Sequence, residues 1–180
     1  MKSVLIPLAQ GSEDLEAVTV LNILRRAGIE AVSTSLDGHP IRGSRGTMLI
    51  PDISLDEALK RSFDMVVLPG GQPGTNNLQA DTRIITLVQR MASTNRYVCA
   101  ICAAPAILAS AGLLDGKRAT SFPGALDGFP AVLRQAQAIV EDGKLITSRG
   151  PGTAMDFALT LVERLVGKTK RDEVEAGLVR

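Results

Sequence analysis

The sequence predicts a three-layer α/β sandwich, in which a mostly parallel sheet carries helices on both faces. Its short apolar runs lack strict polar alternation, which is typical of strands buried on both sides. Segments with helical spacing separate most of these runs, which favours parallel strands joined by helices. No linker, repeat or low-complexity tract interrupts the 180 residues. We therefore expect one domain over residues 1–180, long enough to enclose a hydrophobic core.

The elements follow in order along the chain. Five apolar runs are predicted to be strands: Val4–Leu8, Glu30–Ser35, Met65–Leu68, Tyr97–Ile101 and Lys144–Ser148. Five segments are predicted to be helices: about 13–27, 54–60, 81–93, 103–112 and 152–166. The Gly/Pro-rich stretch Asp37–Pro51 predicts a small antiparallel excursion, Glu141-Asp142-Gly143 a hairpin turn, and Thr169–Val179 a charged surface helix.

Composition excludes several classes of partner. With 20 basic and 19 acidic residues the net charge is +1, so no electrostatic field favours nucleic acid or acidic membranes. Aromatic content is 3% with no Trp, which argues against single-strand nucleic-acid binding. The chain has no apolar run approaching the ~20 residues of a membrane span, no signal-peptide pattern and only two cysteines. Two cysteines fit a reducing cytosol better than a disulfide framework, so a cytoplasmic protein is expected. No bound cofactor is expected, and no phosphate-binding glycine motif is present.

Cys102 lies where the predicted strand Tyr97–Ile101 turns into the helix 103–112. Ala100 and Ala104 flank it two residues before and two after, where only small side chains permit a sharp strand–turn–helix bend. This spacing is typical of a nucleophile elbow, a sharp turn between a strand and a helix that carries the reactive residue. A helix dipole and free N–H groups stabilise a thiolate, so we expect the Cys102 thiol to ionise readily.

The sequence around Cys102 is compatible with other roles. Cysteine is among the most buried residue types, so a packing role is the simplest alternative. Cys99 and Cys102 form a C-x-x-C, but three extended residues separate their Cα atoms by about 10 Å, beyond the ~7 Å limit for a disulfide. Two thiols and the single histidine, His39, are too few ligands for a structural zinc site. A cysteine hydrolase would need His39 as its base, which its Gly-His-Pro turn disfavours.

Two further turns should meet Cys102, because ligands of such sheets bind at the carboxyl ends of the strands. After the first strand, Glu16 lies one turn inside a helix, where the sequence alone predicts a solvated side chain. After the third strand, Gly70 and Gly71 permit close backbone approach to a ligand, and their N–H groups could bind an oxyanion. A plain tight turn explains these glycines equally well. Arg45 is expected to be exposed, where a cation would attract anions to the site.

Several motifs together resemble the ThiJ/PfpI superfamily. They are G-S-E-D-L-E-A-V near the start, V-V-L-P-G-G-Q-P-G after the third strand, A-I-C-A-A-P-A at the elbow and T-S-R-G-P-G-T after the last strand. Within the superfamily they look most like the parkinsonism-associated deglycase branch with its bacterial YajL-type members. The resemblance runs from about Lys2 to Val179 in the same order.

The resemblance implies a flavodoxin-like fold of the class I glutamine amidotransferase type and a homodimer. It also implies that Cys102 is a reactive cysteine and that the Glu16 side chain lies next to its sulfur. Gly71 and Ala103 would provide backbone N–H donors. A carboxylate and a thiolate in one closed pocket repel each other, so one of them keeps a proton, and we expect Glu16 to hold it. Phe122 stands where the human member of the branch has a histidine, which excludes a histidine-assisted step.

Two classes of function follow from the resemblance. The first is a glutathione-independent glyoxalase or protein deglycase, in which Cys102 and Glu16 are catalytic, Gly71 and Ala103 bind the oxyanion, and Arg45 contacts a small aldehyde or glycated protein substrate. The second is a redox-sensing chaperone whose Cys102 is oxidised to a sulfinate. A cysteine peptidase is a third, disfavoured reading because no histidine follows the elbow.

Overall fold

The computed structural model describes residues 1–180 and places a seven-stranded sheet between two layers of helices. The strands are β1 Ser3–Leu8, β2 Glu30–Ser35, β3 Ile41–Arg42, β4 Met48–Leu49, β5 Ile53–Ser54, β6 Met65–Leu68, β7 Tyr97–Ile101, β8 Arg118–Ala119, β9 Leu133–Arg134, β10 Ile139–Asp142 and β11 Leu145–Ser148. The α-helices are α1 Asp14–Arg26, α2 Leu55–Ala58, α3 Gly74–Ala80, α4 Thr82–Ser93, α5 Pro105–Ser110, α6 Ala154–Val166 and α7 Lys168–Ala176. A 3₁₀ turn covers Pro151–Thr153.

The main sheet has the order β10-β11-β7-β6-β1-β2-β5. Its pairs are parallel except β10 with β11, which form the hairpin that the Glu141-Asp142-Gly143 turn predicts. β3 and β4 form a separate antiparallel pair inside the predicted excursion. The fold class predicted from the sequence is therefore confirmed.

Burial explains why these strands lack polar alternation. β6 is buried along its whole length, and four of the five residues of β7 are buried, because helices cover both faces of the sheet. One face packs against α1 and α6, where Phe157 is fully buried, and the other packs against α4 and α5. Each leucine- or phenylalanine-sized side chain removed from water contributes about 1.5–3 kcal/mol, so these two layers stabilise the sheet that carries the site.

The structure differs from the prediction in a few short elements. The predicted helix 54–60 ends at Ala58, and the predicted helix 103–112 is the six-residue α5. Helix α3 was not predicted, because its sequence Gly-Thr-Asn-Asn-Leu-Gln-Ala carries little helical signal. The two-residue edge strand β5 was also missed. None of these differences changes which turns meet at the carboxyl ends of β1, β6 and β7.

None of the helices combines the length and the apolar character that crossing a lipid bilayer requires.

Candidate active site

The turn after β7 has the geometry of a nucleophile elbow. Cys102 has a φ of 65°, a left-handed conformation that costs a residue other than glycine about 1–2 kcal/mol. Its N–H donates to the Ser148 carbonyl at 3.0 Å, and its carbonyl accepts from the Phe122 N–H at 2.7 Å. These bonds to the end of β11 and to the following loop hold the strained residue in place. The side chain is buried, with 8% of the residue exposed.

Two backbone N–H groups face the sulfur of Cys102. They belong to Gly71, in the turn after β6, and to Ala103, and each lowers the pKa of the thiol. Gly71 has a φ of +86°, and a Cβ there would lie 2.4 Å from the Glu13 nitrogen. Only glycine therefore allows this turn to pass so close to the start of α1. Both donors that the family resemblance implies are thus brought to the sulfur.

Glu16 lies in the same site and is completely buried, rather than solvated as its sequence position alone indicates. Its Oε2 accepts a 2.8 Å hydrogen bond from the Gly70 N–H, whereas its buried Oε1 has no partner. Burial raises the pKa of Glu16 to about 7, and the negative charge of Glu13 adds to this effect. The Gly70 and Cys102 contacts act in the opposite direction but are weaker.

The expectation that Cys102 ionises readily is wrong for the resting site. Burial, together with the adjacent Glu16 carboxylate, raises the pKa of the Cys102 thiol to about 12. The Gly71 and Ala103 N–H groups lower it as expected, but they do not outweigh desolvation. The helix behind the elbow is also only six residues long, which limits the help from its dipole.

Above a pH of about 7, Glu16 and Cys102 therefore share one proton. Two negative charges in one buried site are unfavourable, so the pair keeps a proton as the sequence predicts. Burial raises the pKa of both groups and their contact couples them, so the pair loses its first proton near neutral pH and keeps the second above it. A carboxylate with a pKa near 7 beside a thiol is suited to act as a general base.

Gly70 is a site residue that the sequence did not single out for this role. It is the donor to Glu16, and a Cβ on Gly70 would lie 2.7 Å from the Cys102 Cβ and 2.9 Å from the Ala103 nitrogen. The absence of a side chain at this position therefore lets the turn after β6 contact the elbow directly. The Gly-Gly pair was the available signal, but the sequence does not show which of the two contacts Glu16.

Arg45 lies at the rim of this region, in the turn between β3 and β4. Its side chain is 81% exposed, as predicted, and its Nε lies 3.8 Å from Glu13 Oε2. Glu13 also accepts a 2.6 Å hydrogen bond from the Ser44 hydroxyl. Arg45 is thus placed beside the acidic start of α1, and its role toward substrate stays a prediction.

The remaining candidate side chains lie where the sequence predicts. His39 is exposed in the loop before β3, and Cys99 is fully buried within β7. Both cysteines are free thiols. Phe122 is half exposed, and its ring would lie 3.5 Å from a Cβ placed on Gly150. The loop that bonds to the Cys102 carbonyl therefore presents an apolar side chain beside the end of β11.

Comparison with known proteins gives a consistent family match. The profile of the DJ-1/PfpI family matches residues 2–164. Protein dj-1beta of Drosophila melanogaster is 40% identical over 183 residues, covering 99% of this chain and 97% of its own length. A Caenorhabditis elegans protein described as a glutathione-independent glyoxalase is 30% identical over 179 residues, covering 96% of this chain and 94% of its own.

Solved structures show the same fold. The crystal structure of Drosophila DJ-1beta superimposes with a TM-score of 0.96, covering 99% of this chain and 97% of the other. Toxoplasma gondii DJ-1, solved in an oxidized form, superimposes with a TM-score of 0.95 at 34% identity and covers 99% of this chain and 98% of its own. Both comparisons extend over the sheet, the elbow and the helices described above.

Proposed function

Since this chain belongs to the DJ-1/PfpI family, we propose that it is a cysteine-dependent enzyme that converts reactive 2-oxoaldehydes to 2-hydroxy acids without glutathione. The observation that carries the proposal is the contact between a strained cysteine, two backbone donors and a buried carboxylate with a pKa of about 7. The relative from C. elegans that is described as a glutathione-independent glyoxalase supports the same reaction class.

The first step proposed is addition of the Cys102 sulfur to the aldehyde carbon. Glu16 accepts the thiol proton as the carbon–sulfur bond forms, so the high resting pKa of Cys102 does not block attack. The aldehyde oxygen becomes an oxyanion beside the Gly71 and Ala103 N–H groups, which stabilise it before it takes up the proton held by Glu16. The product is a neutral hemithioacetal, and Glu16 is again a carboxylate.

The second step moves hydrogen between the two carbons. Glu16 removes the proton from the former aldehyde carbon while a water molecule donates a proton to the neighbouring ketone oxygen, which gives an enediol and hydroxide. Glu16 then returns its proton to the second carbon and the hydroxide takes the proton of the first hydroxyl, which converts the enediol to a thioester of the 2-hydroxy acid and restores the water and the Glu16 carboxylate. Water then cleaves the thioester, so methylglyoxal plus water gives lactate and restores the Cys102 thiol. No external oxidant, reductant or cofactor is needed.

The direct test is lactate production from methylglyoxal without glutathione. Cys102→Ser and Glu16→Gln should each lose activity, because the first removes the nucleophile and the second the base. Cys99→Ala, which changes the only other cysteine, should retain it. Full activity in Cys102→Ser, or equal loss in Cys99→Ala, would remove the proposal.

The proposal extends to glycated proteins if the site accepts adducts as well as free aldehyde. Early adducts of cysteine thiols with methylglyoxal release the aldehyde spontaneously. An enzyme that acts on the adduct itself should therefore form lactate faster than this release. The test compares the rate at which lactate forms from the N-acetylcysteine hemithioacetal with the rate at which the hemithioacetal releases its aldehyde, measured by trapping with excess free thiol. Lactate formation faster than release indicates a deglycase, and lactate formation no faster than release indicates a glyoxalase.

A redox-sensing chaperone is the second candidate, favoured by a different observation. Cys102 is a free thiol at a site with two N–H donors and a buried Glu16 carboxyl whose raised pKa favours the protonated form, so these three groups can donate to the oxygens of a sulfinate. One relative, from T. gondii, has been solved in an oxidized form. Peroxide should then add two oxygens at Cys102, spare Cys99 and increase aggregation suppression, as peptide mass spectrometry and light scattering would show. A peptidase stays disfavoured, because the only histidine is exposed before β3.

We also propose that the chain forms a homodimer through α1 and the β3–β4 hairpin. Leu15 and Val18 on α1 are 52% and 45% exposed, and Met48 and Ile50 are 59% and 81% exposed. Asp14 connects the two elements, since its carboxylate accepts from the Arg45 N–H at 3.2 Å and from the Thr47 N–H at 3.1 Å. The exposed apolar side chains next to these contacts suit a surface that is covered in an oligomer.

A further inference from the structure

A basic groove lies at the end of the sheet where the strands β6 and β7 begin, away from Cys102. We use this name for the cavity of about 350 Å³ between the segment Leu59–Phe63 and the helix α4, which also includes Thr94 and Arg96. It continues into a second cavity of about 220 Å³ that shares Leu59, Leu87 and Arg90 and is bordered by Arg83. The five residues of β7 separate this end from the elbow, a distance of about 17 Å.

The charge of the basic groove has one sign. Lys60, Arg61, Arg90 and Arg96 line the larger cavity, and no acidic side chain does. Neither Lys60 nor Arg90 forms an ion pair within 4 Å, although the Glu57 carboxylate lies close enough to Lys60 for their charges to interact.

The other two cations are held in position by carboxylates outside the cavity. Arg61 pairs with Glu30, and Arg96 pairs with Asp64 at 2.9 Å. These pairs fix the guanidinium groups at the rim while leaving some of their N–H donors free, since a guanidinium has five. A ligand with several acceptor oxygens would therefore meet donors from both sides of the groove.

The floor beneath these charges is apolar. It consists of Phe63, Leu87 and Met91, which are 5%, 2% and 5% exposed. The Arg61 guanidinium lies over the Phe63 ring, 5.1 Å from its centroid. Arginine stacked in this way keeps its donors directed outward. The groove thus combines a cationic rim with a floor of apolar side chains that expose only small edges to a ligand.

We propose that the basic groove binds a small organic phosphate, with the phosphate on Lys60 and Arg90 and the apolar or aromatic body over Leu87 and Met91. Planar guanidinium donors match phosphate oxygens, which favours this class over a neutral ligand. A nucleic acid or an acidic membrane fits less well, because the chain as a whole carries a net charge of only +1. The site is separate from Cys102 and does not depend on the proposed reaction.

Trinitrophenyl-ATP provides a test, because it joins phosphates to an aromatic group whose fluorescence rises in apolar surroundings. Titration of the full chain in EDTA should give a saturable 1:1 increase. The double variant Lys60→Gln/Arg90→Gln should bind at least about tenfold more weakly, since it loses two charge-assisted contacts. Lys168→Gln/Lys170→Gln on α7 lowers the net charge equally and should bind within about twofold of the unmodified chain, as should Cys102→Ala.

Several results would overturn this site. They are an absence of saturable binding, unchanged affinity in Lys60→Gln/Arg90→Gln, or equal weakening in the α7 control, which would show a response to net charge alone. Loss of binding in Cys102→Ala would place the ligand at the elbow instead. Inorganic tripolyphosphate should compete at least about tenfold less well than ATP, because it has no body to cover the apolar floor. Equal competition would contradict an organic ligand.

Discussion

Glu16 shows how one buried carboxyl connects stability with function. The residue is fully buried, has one hydrogen-bond partner and carries an unpartnered oxygen, so its charged form is unfavourable in the folded chain. The same burial that raises its pKa to about 7 makes it a base at neutral pH. A carboxylate solvated on α1 would lack both properties.

Removing this titration should stabilise the protein at alkaline pH. The folded pKa of Glu16 is about 7, against an ordinary value of 4.5, so between these pH values the folded chain holds more protons than the unfolded chain. Stability therefore falls as pH rises from 4.5 to 7, by up to about 3 kcal/mol from this group. Glu16→Gln should unfold at higher urea concentration than the unmodified chain at pH 8, and at a similar concentration at pH 4.5. An equal difference at both pH values would exclude this origin.

At the scale of elements, the turn after β6 and the elbow after β7 act as one unit. The Gly70 N–H holds Glu16, the Gly71 N–H faces the sulfur, and the Gly70 carbonyl accepts from the Glu13 N–H at 2.8 Å. Three chain segments far apart in sequence are thereby joined through backbone atoms. The geometry of the site depends on this contact more than on any helix dipole.

Gly70→Ala should disrupt the unit by steric overlap alone, since Gly70 does not have a left-handed φ. The added methyl group would lie 2.7 Å from the Cys102 Cβ and 3.0 Å from the Ile101 carbonyl oxygen. We expect a loss of about 1–3 kcal/mol of stability, and a fall in activity of about 100-fold if the sulfur moves by 1 Å.

Gly128→Ala is the matched control, because a Cβ there meets no atom within 4 Å and its φ is also not left-handed. Urea unfolding and the methylglyoxal assay on both variants provide the measurement. If the two alanines behave alike, close packing at Gly70 does not shape the site.

For the whole molecule, the exposed apolar side chains of α1 and the β3–β4 hairpin predict association. Leu15→Glu/Ile50→Glu should convert a dimer to a monomer, because two charges would have to be buried in the interface. Leu133→Glu/Val179→Glu changes two other exposed apolar residues and should leave the dimer intact. Sedimentation velocity gives the masses. A monomeric unmodified chain, or dissociation only in the control pair, would contradict the assignment of this surface.

The sequence predicts the sheet better than the chemistry of the site. Apolar runs such as Met65–Leu68 specify buried strands locally, and small residues around Cys102 specify the elbow, so both are confirmed. The burial of Glu16 depends on Gly70 and Cys102, which are distant in sequence, and periodicity therefore indicates a solvated residue. The sequence predicts that the pKa of Cys102 is lowered, whereas the folded site raises it. Helix signals are visible in a sequence, but desolvation is a property of the folded site.

The pH dependence of kcat/KM for methylglyoxal tests most directly whether Glu16 takes the proton of Cys102. In the unmodified chain, kcat/KM should rise through an apparent pKa near 7 as the Glu16 carboxyl ionises, and it should then stay level well below the pKa of about 12 of the thiol. In Glu16→Gln the residual activity should lack this rise. An unmodified chain whose activity rises only in step with ionisation of the thiol, or a Glu16→Gln variant that keeps the rise near pH 7, would contradict the account.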